Sequence, residues 1–497
     1  MENILSAAQM RDTDAHTCAT FKLSSLQLME QASQSFVKAF SREYPERYLK
    51  IAVYCGTGNN GGDGLAIARL LYQEGYSHLN VKIARFSDRS SADFDANLID
   101  IESTPIPVAE LVHADELDKE EAELIIDALI GSGLNKPLEG EFRMLVEKIN
   151  VLNKVVVAVD IPTGFKSEGA MKLSDTVLVA DLVISFQRAK VNFFLPESAG
   201  FIKEIKVVDI GLNEHYIQSL TTPYYLITQK DIASRLKKRA NFTHKGTYGH
   251  ALIIAGAPET MGAALLSAEA CMCTGAGLTT ACVPEEGLTA LNTRVPEVMA
   301  ILNKNVNGDL KWNTYQAVGI GPGIGSSPES LALLTKTLKE YNKPVVIDAD
   351  ALNLIAQNND LMQIIPEGSV LTPHVKEFDR LFGKHESWWD RVVTGIDRAV
   401  TLGCTILLKN QYTMIFTRDG KCLFNPTGSP AMASGGMGDV LTGMITSFIS
   451  QGYSIEDAVI LGVYIHGAAG EEGNDYVVPA SSLIKRLPAT IAANYTT

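Results

Sequence analysis

"GTGNNGGDGLAIARLL" occupies residues 56–71 and follows the apolar run 51–54. An apolar run, a glycine-rich turn and apolar residues at helical spacing predict a strand followed by a helix. The spacing Gly56-x-Gly58-x-x-Gly61 also matches the dinucleotide-binding fingerprint. However, Asp63 stands where a diphosphate would meet the helix N-terminus, and its carboxylate would repel the phosphates. The stretch therefore predicts a binding loop of an α/β domain whose ligand is not simply a diphosphate.

Length and composition indicate a globular protein of two domains. The chain of 497 residues exceeds one ordinary core, so we expect domains of about 200–280 residues, divided within the polar stretch 212–222. The net charge of −14 argues against a nucleic-acid partner. We expect no membrane span and no secretory signal, because no long apolar run is present. The seven cysteines form no Cys-x-x-Cys pair, which favours reduced thiols in a cytoplasmic protein.

Strands and helices alternate in the first half of the chain, which is typical of a mostly parallel sheet. The predicted strands are 51–54, 80–86, 123–126, 155–159, 182–185 and 205–208. Such sheets bind ligands at the carboxyl ends of their strands, so the residues that follow each strand are candidates. Three strand ends carry oxygen donors, and these are Asn59, Asn60, Asp63, Asp127, Asp160 and Thr163.

A cluster of oxygen donors without Cys or His favours a hard cation or sugar hydroxyls rather than zinc. One or two carboxylates combined with amide and hydroxyl oxygens form a weakly charged cage, which suits a monovalent ion better than Mg²⁺. Two alternatives stay open. Each Asp caps the helix after its strand, or the domain is a Rossmann dehydrogenase. Against the dehydrogenase, the second strand is followed first by Arg85 instead of an acidic residue.

The second half repeats the strand–helix alternation and ends in a second glycine-rich turn. Gly435, Gly436 and Gly438 precede an amphipathic helix predicted over residues 440–450. Free backbone N–H groups at such a turn form an anion hole for a phosphoryl group in transfer. Asp439 at the helix start is a candidate general base that takes the proton of an attacking hydroxyl, with an N-cap as its alternative role.

Motifs in both halves of the chain resemble those of known enzyme domains. "GTGNNGGDG", "DALIGSGL" and "DIPTG" resemble the NAD(P)H-hydrate epimerase domain. "HKGTYGHALIIAG", "IGPGIG", "VIDADALN", "LTPH" and "GGMGDVLTGMI" resemble the ADP-dependent NAD(P)H-hydrate dehydratase. The chain thus resembles the fused bacterial repair enzymes. The resemblance implies a Rossmann-like three-layer αβα epimerase domain over residues 1–215 and a ribokinase-like αβα dehydratase domain over residues 222–497.

The resemblance also implies a reaction. NADH and NADPH slowly add water to give a hydrate with R and S forms at C6. The epimerase domain interconverts these forms, and the dehydratase domain restores NAD(P)H from the S form by phosphorylating the hydroxyl, which then leaves as phosphate. The implied cofactors are K⁺ at the epimerase site and Mg²⁺ with ADP at the dehydratase site.

The resemblance implies site residues for this chain, one position at a time. The K⁺ ligands implied by the resemblance are Asn60, Asp127 and Thr163. The implied epimerase substrate contacts are Asn59, Asn60, Gly61, Gly62, Asp63, Gly131, Ser132, Gly133, Leu134, Asn135, Lys136, Pro137 and Asp160. Because Asp160 directly follows its strand, it is our candidate for proton transfer at the C6 hydroxyl.

In the second half, the resemblance places the hydrate near Ala263, Gly323, His374 and Asp439. The implied nucleotide contacts are Lys409, Asn410, Gln411, Tyr412, Thr413 and Gly438. The chain departs from the family pattern in three places, since Asn410 replaces a glycine, Met437 replaces a serine or threonine, and "VKE" at 375–377 replaces Pro-Gly-Glu after His374. If position 410 needs a positive φ, asparagine is the least costly replacement for glycine.

Two further function classes are alternatives. A small-molecule kinase of the ribokinase-like class would release a stable phosphorylated product, whereas the dehydratase releases phosphate and restored NAD(P)H. A nucleotide-binding scaffold with a degenerate site is disfavoured by the intact glycine-rich turn and Asp439. The expected partners are the small-molecule ligands hydrated NADH or NADPH and ADP, and we expect a homo-oligomer.

Overall fold

The computed structural model describes residues 1–133, 136–306, 310–473 and 475–495. The chain divides into two compact units. The smaller unit comprises Asn3–Thr222 with Ser387–Trp389, and the larger unit comprises Met1–Glu2, Pro223–Glu386 and Asp390–Thr497. Across the described ranges, no helix combines the length and apolarity needed to cross a membrane.

The smaller unit is built on one parallel sheet. The first strand of the chain, β1 (Glu2–Asn3), belongs to the sheet of the larger unit. The strands of the smaller unit are β2 (Lys50–Cys55), β3 (His78–Ala84), β4 (Val108–Leu111), β5 (Leu124–Ala128), β6 (Val155–Val159), β7 (Ala180–Phe186) and β8 (Ile202–Val208). Its helices are α1 (Ala7–Phe21), α2 (Ser25–Glu43), α3 (Asn59–Gln73), α4 (Ala92–Glu102), α5 (Gly140–Val151) and α6 (Glu214–Ser219).

The strand order of this sheet, β4-β3-β2-β5-β6-β7-β8, places a topological switch point between β2 and β5. Chain connections leave these two neighbouring strands in opposite directions, which opens a crevice at their carboxyl ends. The structure differs from the prediction at the edge of the sheet, where β4 was not predicted. Two of the four residues of β4, Ala109 and Glu110, are exposed, so the strand lacks the continuous apolar run of a buried strand.

The larger unit is built on a mixed sheet. Its remaining strands are β9 (Tyr224–Leu226), β10 (His250–Ile254), β11 (Leu278–Val283), β12 (Met299–Leu302), β13 (Ala317–Ile320), β14 (Val345–Ile347), β15 (Val370–Leu371), β16 (Thr405–Leu408), β17 (Met414–Phe416) and β18 (Cys422–Phe424). The helices from α7 onward are α7 (Gln229–Arg235), α8 (Met261–Thr274), α9 (Leu288–Arg294), α10 (Asn303–Val306), α11 (Pro328–Glu340), α12 (Ala349–Gln357), α13 (Val375–Phe382), α14 (Trp388–Leu402), α15 (Met437–Ser450), α16 (Ile455–Glu471) and α17 (Ala480–Tyr495).

The larger sheet runs β1-β9-β18-β17-β16-β15-β14-β13-β10-β11-β12. In this order the neighbouring strands from β16 through β12 pair in parallel, and β17 pairs antiparallel with both β16 and β18. A second switch point lies between β10 and β13. The predicted class, two α/β domains on mostly parallel sheets, is confirmed.

Close packing explains the glycines of residues 56–64. A Cβ at Gly61 would lie 1.7 Å from the carbonyl oxygen of Gly56, and one at Gly56 would lie 2.0 Å from that of Leu129. A Cβ at Gly64 would lie 2.5 Å from the Cβ of Ala128 on β5. These glycines therefore let α3 and the turn before it pack directly against β2 and β5.

We expect Gly61→Ala to destabilise the smaller unit by about 1–3 kcal/mol, because the backbone at Gly56 must move to admit the methyl group. A Cβ at Gly58 meets nothing within 4 Å, so Gly58→Ala is the matched control. It is expected to cost about 0.5 kcal/mol through the weaker helix cap. Thermal unfolding followed by circular dichroism measures the stability of both variants. Equal melting temperatures of the two variants would contradict the close packing at Gly61.

Candidate active sites at the carboxyl ends of the two sheets

The asparagine-rich segment of the smaller unit begins a helix. We predicted a loop for residues 59–63, and this was wrong, since α3 begins at Asn59 and Gly58 is its N-cap without a side-chain hydrogen bond. Asp63 therefore lies in the helix instead of capping it. Burial and the neighbouring carboxylates of Asp160, Asp14 and Asp93 raise the pKa of Asp63 well above its usual range.

Asp127 and Thr163 are brought into direct contact. We predicted that Asp127 follows its strand, but it lies within β5. The Asp127 carboxylate is fully buried and accepts hydrogen bonds from the Thr163 hydroxyl at 2.7 Å, the Thr163 N–H at 2.7 Å and the Leu129 N–H at 3.1 Å. Burial raises its pKa to about 6, although these donors oppose the shift.

Asn60 lies beside the segment that follows β5. A Cβ at Gly131 would lie 3.0 Å from the Asn60 side-chain oxygen, and the Asn60 Nδ2 is buried without a hydrogen-bond partner among the described residues. The other predicted contacts of this segment differ in exposure. Gly131 and Ser132 are half-buried, whereas Gly133, Lys136 and Pro137 are exposed. Leu134 and Asn135 lie outside the described residues.

Asp160 follows β6 and adopts a left-handed backbone with φ of 63°. Such a backbone costs about 1–3 kcal/mol in residues other than glycine and is concentrated at functional sites. Its Oδ1 accepts hydrogen bonds from the Ser185 hydroxyl at 3.1 Å and the Phe186 N–H at 2.9 Å. The Lys190 Nζ lies 2.9 Å from the same oxygen. Three groups at the carboxyl end of β7 or just after it therefore hold the Asp160 side chain in place.

Sequence reasoning missed Lys190 and Asp14. Lys190 is only 3% exposed and also donates to the carbonyl oxygens of Phe186 and Arg188. It follows the strand 182–185, whose carboxyl end lies at the same sheet edge, so inspecting that strand end would have found it. Asp14 lies in α1, ahead of β2, and no motif marked it.

One cavity of about 90 Å³ joins these groups. Its polar lining is contributed by Arg11, Asp14, Ser132, Asp160, Ser167 and Lys190. Burial and the nearby Asp160 charge raise the pKa of Asp14 to about 6, and Lys190 opposes the shift. The cavity thus holds two carboxyl groups in different environments, which is an arrangement suited to acid–base chemistry.

The second glycine-rich turn, in the larger unit, begins α15. The helix begins at Met437 instead of residue 440, and its N-cap is Gly436 with φ of 91°. Asp439 is therefore the third helical residue, and the alternative role as N-cap is excluded. Burial and the charge of Asp348 raise the pKa of Asp439 to about 7, while Lys409 lowers it.

Asp348 was not predicted as a site residue, although its motif was noted. It follows β14, is 1% exposed and pairs with the Lys409 Nζ at 2.7 Å. The Thr442 hydroxyl of α15 donates to its other oxygen at 2.8 Å. Burial opposes ionisation, but Lys409 and these hydrogen bonds together lower the pKa of Asp348.

Three of the predicted hydrate contacts lie in segments that follow β10, β13 and β15, and of these strands β10 and β13 are neighbours. A Cβ at Gly323, which has φ of 62°, would lie 3.0 Å from the Ala263 Cβ, so these two residues are adjacent. His374 follows β15, and the Lys409 N–H donates to the carbonyl oxygen of Pro373 beside it at 3.0 Å. The His374 Nδ1 accepts hydrogen bonds from two N–H groups at the start of α13. Burial lowers the pKa of His374, which favours the neutral ring.

A cavity of about 330 Å³ opens beside Lys409. The predicted nucleotide contacts that line it are Lys409, Asn410, Gln411, Thr413 and Gly438, whereas Tyr412 does not line it. Asn410 has no positive φ, so this position does not require glycine. Met437 is 9% exposed and also lines the cavity. A Cβ at Gly438 would lie 3.2 Å from the Lys409 Nζ, so glycine leaves open the space between the helix start and the ammonium.

His466 of α16 also lines this cavity and was missed, because it stands in an apolar helix without any motif. Its Nε2 is buried without a hydrogen-bond partner among the described residues. Burial lowers the pKa of His466 to about 4, so the ring is neutral near pH 7.

Comparison with known proteins covers both units. Residues 25–192 match the family model described as YjeF-related protein N-terminus, and residues 251–489 match the model described as NAD(P)H-hydrate dehydratase. A bifunctional NAD(P)H-hydrate repair enzyme of Coxiella burnetii is 34% identical, with 94% of this chain and 94% of the relative covered. That of Moorella thermoacetica is 31% identical, with 94% and 92% covered.

A solved ribokinase-like superfamily protein of Enterococcus faecalis is similar in structure, with a TM-score of 0.51 and 27% identity. It covers 56% of this chain and 99% of its own length. Both halves of the chain therefore have relatives in the same order and over nearly the full length. The chain belongs to the family of bifunctional NAD(P)H-hydrate repair enzymes.

Proposed function

We propose that this protein repairs hydrated NADH and NADPH, with epimerisation in the smaller unit and ADP-dependent dehydration of the S form in the larger. The family membership carries the proposal, because relatives named as bifunctional NAD(P)H-hydrate repair enzymes align with both units of this chain. The two cavities support it, because the cavity of the smaller unit is lined by Asp160 and Asp14, and the cavity of the larger unit is lined by Gly438, next to Asp439 in the chain. A cytoplasmic location and a homo-oligomer stay predictions.

In the smaller unit, Asp160 is the proposed proton acceptor at the C6 hydroxyl. Its carboxylate oxygen is held by Lys190, Ser185 and the Phe186 N–H, so it is oriented before the substrate arrives. Asn59–Asp63 and residues 131–133 with 136 and 137 are the proposed substrate contacts. Gly131 and Ser132 suit this role best, because Ser132 lines the cavity and Gly131 lies against Asn60.

A potassium ion is the proposed cofactor of this site, held by Asn60, Asp127 and Thr163. The donor set fits, because it supplies one carboxylate, one amide oxygen and one hydroxyl oxygen. The Asn60 Nδ2 is a hydrogen-bond donor without a partner among the described residues, so it suits a substrate oxygen, while the Asn60 side-chain oxygen is the atom that would bind the ion. A monovalent cation there would offset the carboxylates that otherwise repel an anionic dinucleotide.

In the larger unit, Asp439 is the proposed general base for phosphoryl transfer from the nucleotide to the hydrate. The N–H groups at the start of α15 provide the anion hole, and Lys409 borders the same space. The nucleotide would bind along Lys409–Thr413 and against Gly438, with Mg²⁺ on its phosphates to neutralise developing charge. Ala263, Gly323 and His374 are the proposed hydrate contacts.

Both activities are tested on a mixed pool of R and S hydrates with excess ADP and Mg²⁺, followed by chromatography of the epimers and NADH absorbance. The wild type is expected to convert the whole pool. Asp160→Ala should consume the S share and then stall, whereas Asp439→Asn should equilibrate R with S and restore about 10²–10⁴-fold less NADH per unit time. Mixing the variants should regain full conversion.

Other outcomes of this experiment would contradict the proposal. If Asp160→Ala drains both epimers at the wild-type rate, the smaller unit does not supply the epimerase. If a stable phosphorylated product accumulates in place of NADH, the larger unit is a small-molecule kinase.

Potassium dependence is expected to follow the ionisation of Asp127. The ion binds the carboxylate, so the apparent K⁺ affinity of epimerisation should weaken as pH falls through about 6. Asp127→Asn or replacement of K⁺ by Li⁺ should slow epimerisation and leave dehydration unchanged. Epimerisation indifferent to both changes would show that these residues do not bind the ion.

The pH dependence of dehydration reports on Asp439. As a general base it must be ionised, so turnover at saturating ADP should rise with pH through about 7. Asp348→Asn removes a negative charge and frees Lys409, and both changes favour ionised Asp439. The rise should therefore move to lower pH by about 1 unit. An unchanged profile in Asp348→Asn would show that another group limits the reaction.

A further inference from the structure

Exchange of the two epimers at C6 by ring opening involves proton transfer at two atoms, and this route rests on the proposed function. In ring opening, a base takes the C6 hydroxyl proton, the C6–O bond becomes a carbonyl and the C6–N1 bond breaks. The electron pair of that bond goes to N1, which takes a proton from an acid. The aldehyde then rotates so that the other face of its carbonyl meets N1. The reverse proton transfers accompany closure of the ring on that face. One proton acceptor and one proton donor are therefore needed in the same cavity.

The cavity of the smaller unit contains two carboxyl groups of contrasting environment. Asp160 is paired with Lys190 at 2.9 Å and accepts two further hydrogen bonds, so its carboxylate is fixed by three donors. Asp14 lines the same cavity from α1, and its carboxyl group makes no hydrogen bond or ion pair with the described residues. A desolvated carboxyl without a cationic partner, near a second carboxylate, favours the protonated form.

We propose that Asp14 is the acid of the epimerase, which donates a proton to N1 while Asp160 accepts the proton of the C6 hydroxyl. After ring opening Asp160 is protonated and Asp14 is ionised, and ring closure reverses both transfers. The pair thus returns to its starting state without any exchange of protons with solvent, and the same two groups serve both epimers.

The charges around Asp14 agree with this assignment. Its pKa is raised to about 6 by burial first and by the Asp160 charge second, so a protonated fraction persists near neutral pH. The charged groups that share its surroundings are Arg11 on α1, Asp63 on α3, Asp160 after β6 and Lys190 after β7. Lys190 forms its ion pair with Asp160 and not with Asp14.

The test compares Asp14→Asn with Asp12→Asn, an exposed acidic residue of the same helix. Epimer chromatography of the purified full chain with K⁺ measures the rate, without ADP so that no hydrate is consumed. Asp14→Asn should slow epimerisation by about 10²–10⁴-fold, and Asp12→Asn should leave it unchanged. The acid must be protonated, so wild-type turnover should fall as pH rises above about 6, and Asp14→Asn should lose this fall.

Asp160→Ala is measured alongside to separate two failures. If Asp160→Ala abolishes epimerisation and Asp14→Asn retains the wild-type rate and pH profile, Asp14 is not the acid and the proposed function stands. If both variants epimerise as the wild type does, the smaller unit is not the epimerase. Thermal unfolding of Asp14→Asn guards against misfolding, and an unchanged melting temperature with lost activity supports the proposal.

Discussion

Burial of carboxylates at the carboxyl ends of parallel strands is the constraint on which both units depend. A buried carboxylate is tolerated only when hydrogen bonds or a cation replace the water it has lost. Asp127 is held by neutral donors, and burial raises its pKa to about 6. Asp348 is held by Lys409 and Thr442, and its pKa is lowered. The pKa values of these two aspartates, which lie in comparable positions, are thus shifted in opposite directions, because their partners differ in charge.

These differences match the ligands proposed for the two units. Neutral donors around Asp127 leave its negative charge available to a monovalent cation. The ammonium of Lys409, in contrast, faces both Asp348 and the open space at Gly438, where a phosphate of the nucleotide would lie. Each unit also has a carboxyl group with a raised pKa near its reacting centre, Asp14 in one and Asp439 in the other. The chemistry therefore depends on the surroundings of each carboxyl more than on its presence.

Sheet topology gathers the groups that are proposed to do this chemistry. In the smaller sheet, the segments after β2, β5, β6 and β7 meet at one edge, which brings Asp160 to Lys190 and Asp127 to Thr163. In the larger sheet, the ends of β14 and β16 bring Asp348 to Lys409, 61 positions apart in the chain. Both groups of residues lie at the carboxyl ends of parallel strands, which is the side at which open parallel sheets bind ligands.

The sequence by itself determined the two-domain α/β class and most strand ends that carry site residues. These features depend on local signals, because apolar runs, glycine-rich turns and helical spacing are written within about 20 neighbouring residues. The resemblance carried by several ordered motifs determined the family. Even Asp439 at the start of α15 was located, although the helix begins three residues before the predicted one.

Only the tertiary structure decided which groups act on one another. Lys190 pairs with Asp160 because β6 and β7 are neighbours, and Asp14 shares their cavity although α1 precedes the first strand of that sheet. Asp127 lies inside its strand and Asp439 is not a cap, which no local pattern distinguished from the alternatives. Protonation follows from desolvation and from charges distant in sequence. These exist only once the chain has folded, so their pKa values are properties of the tertiary structure.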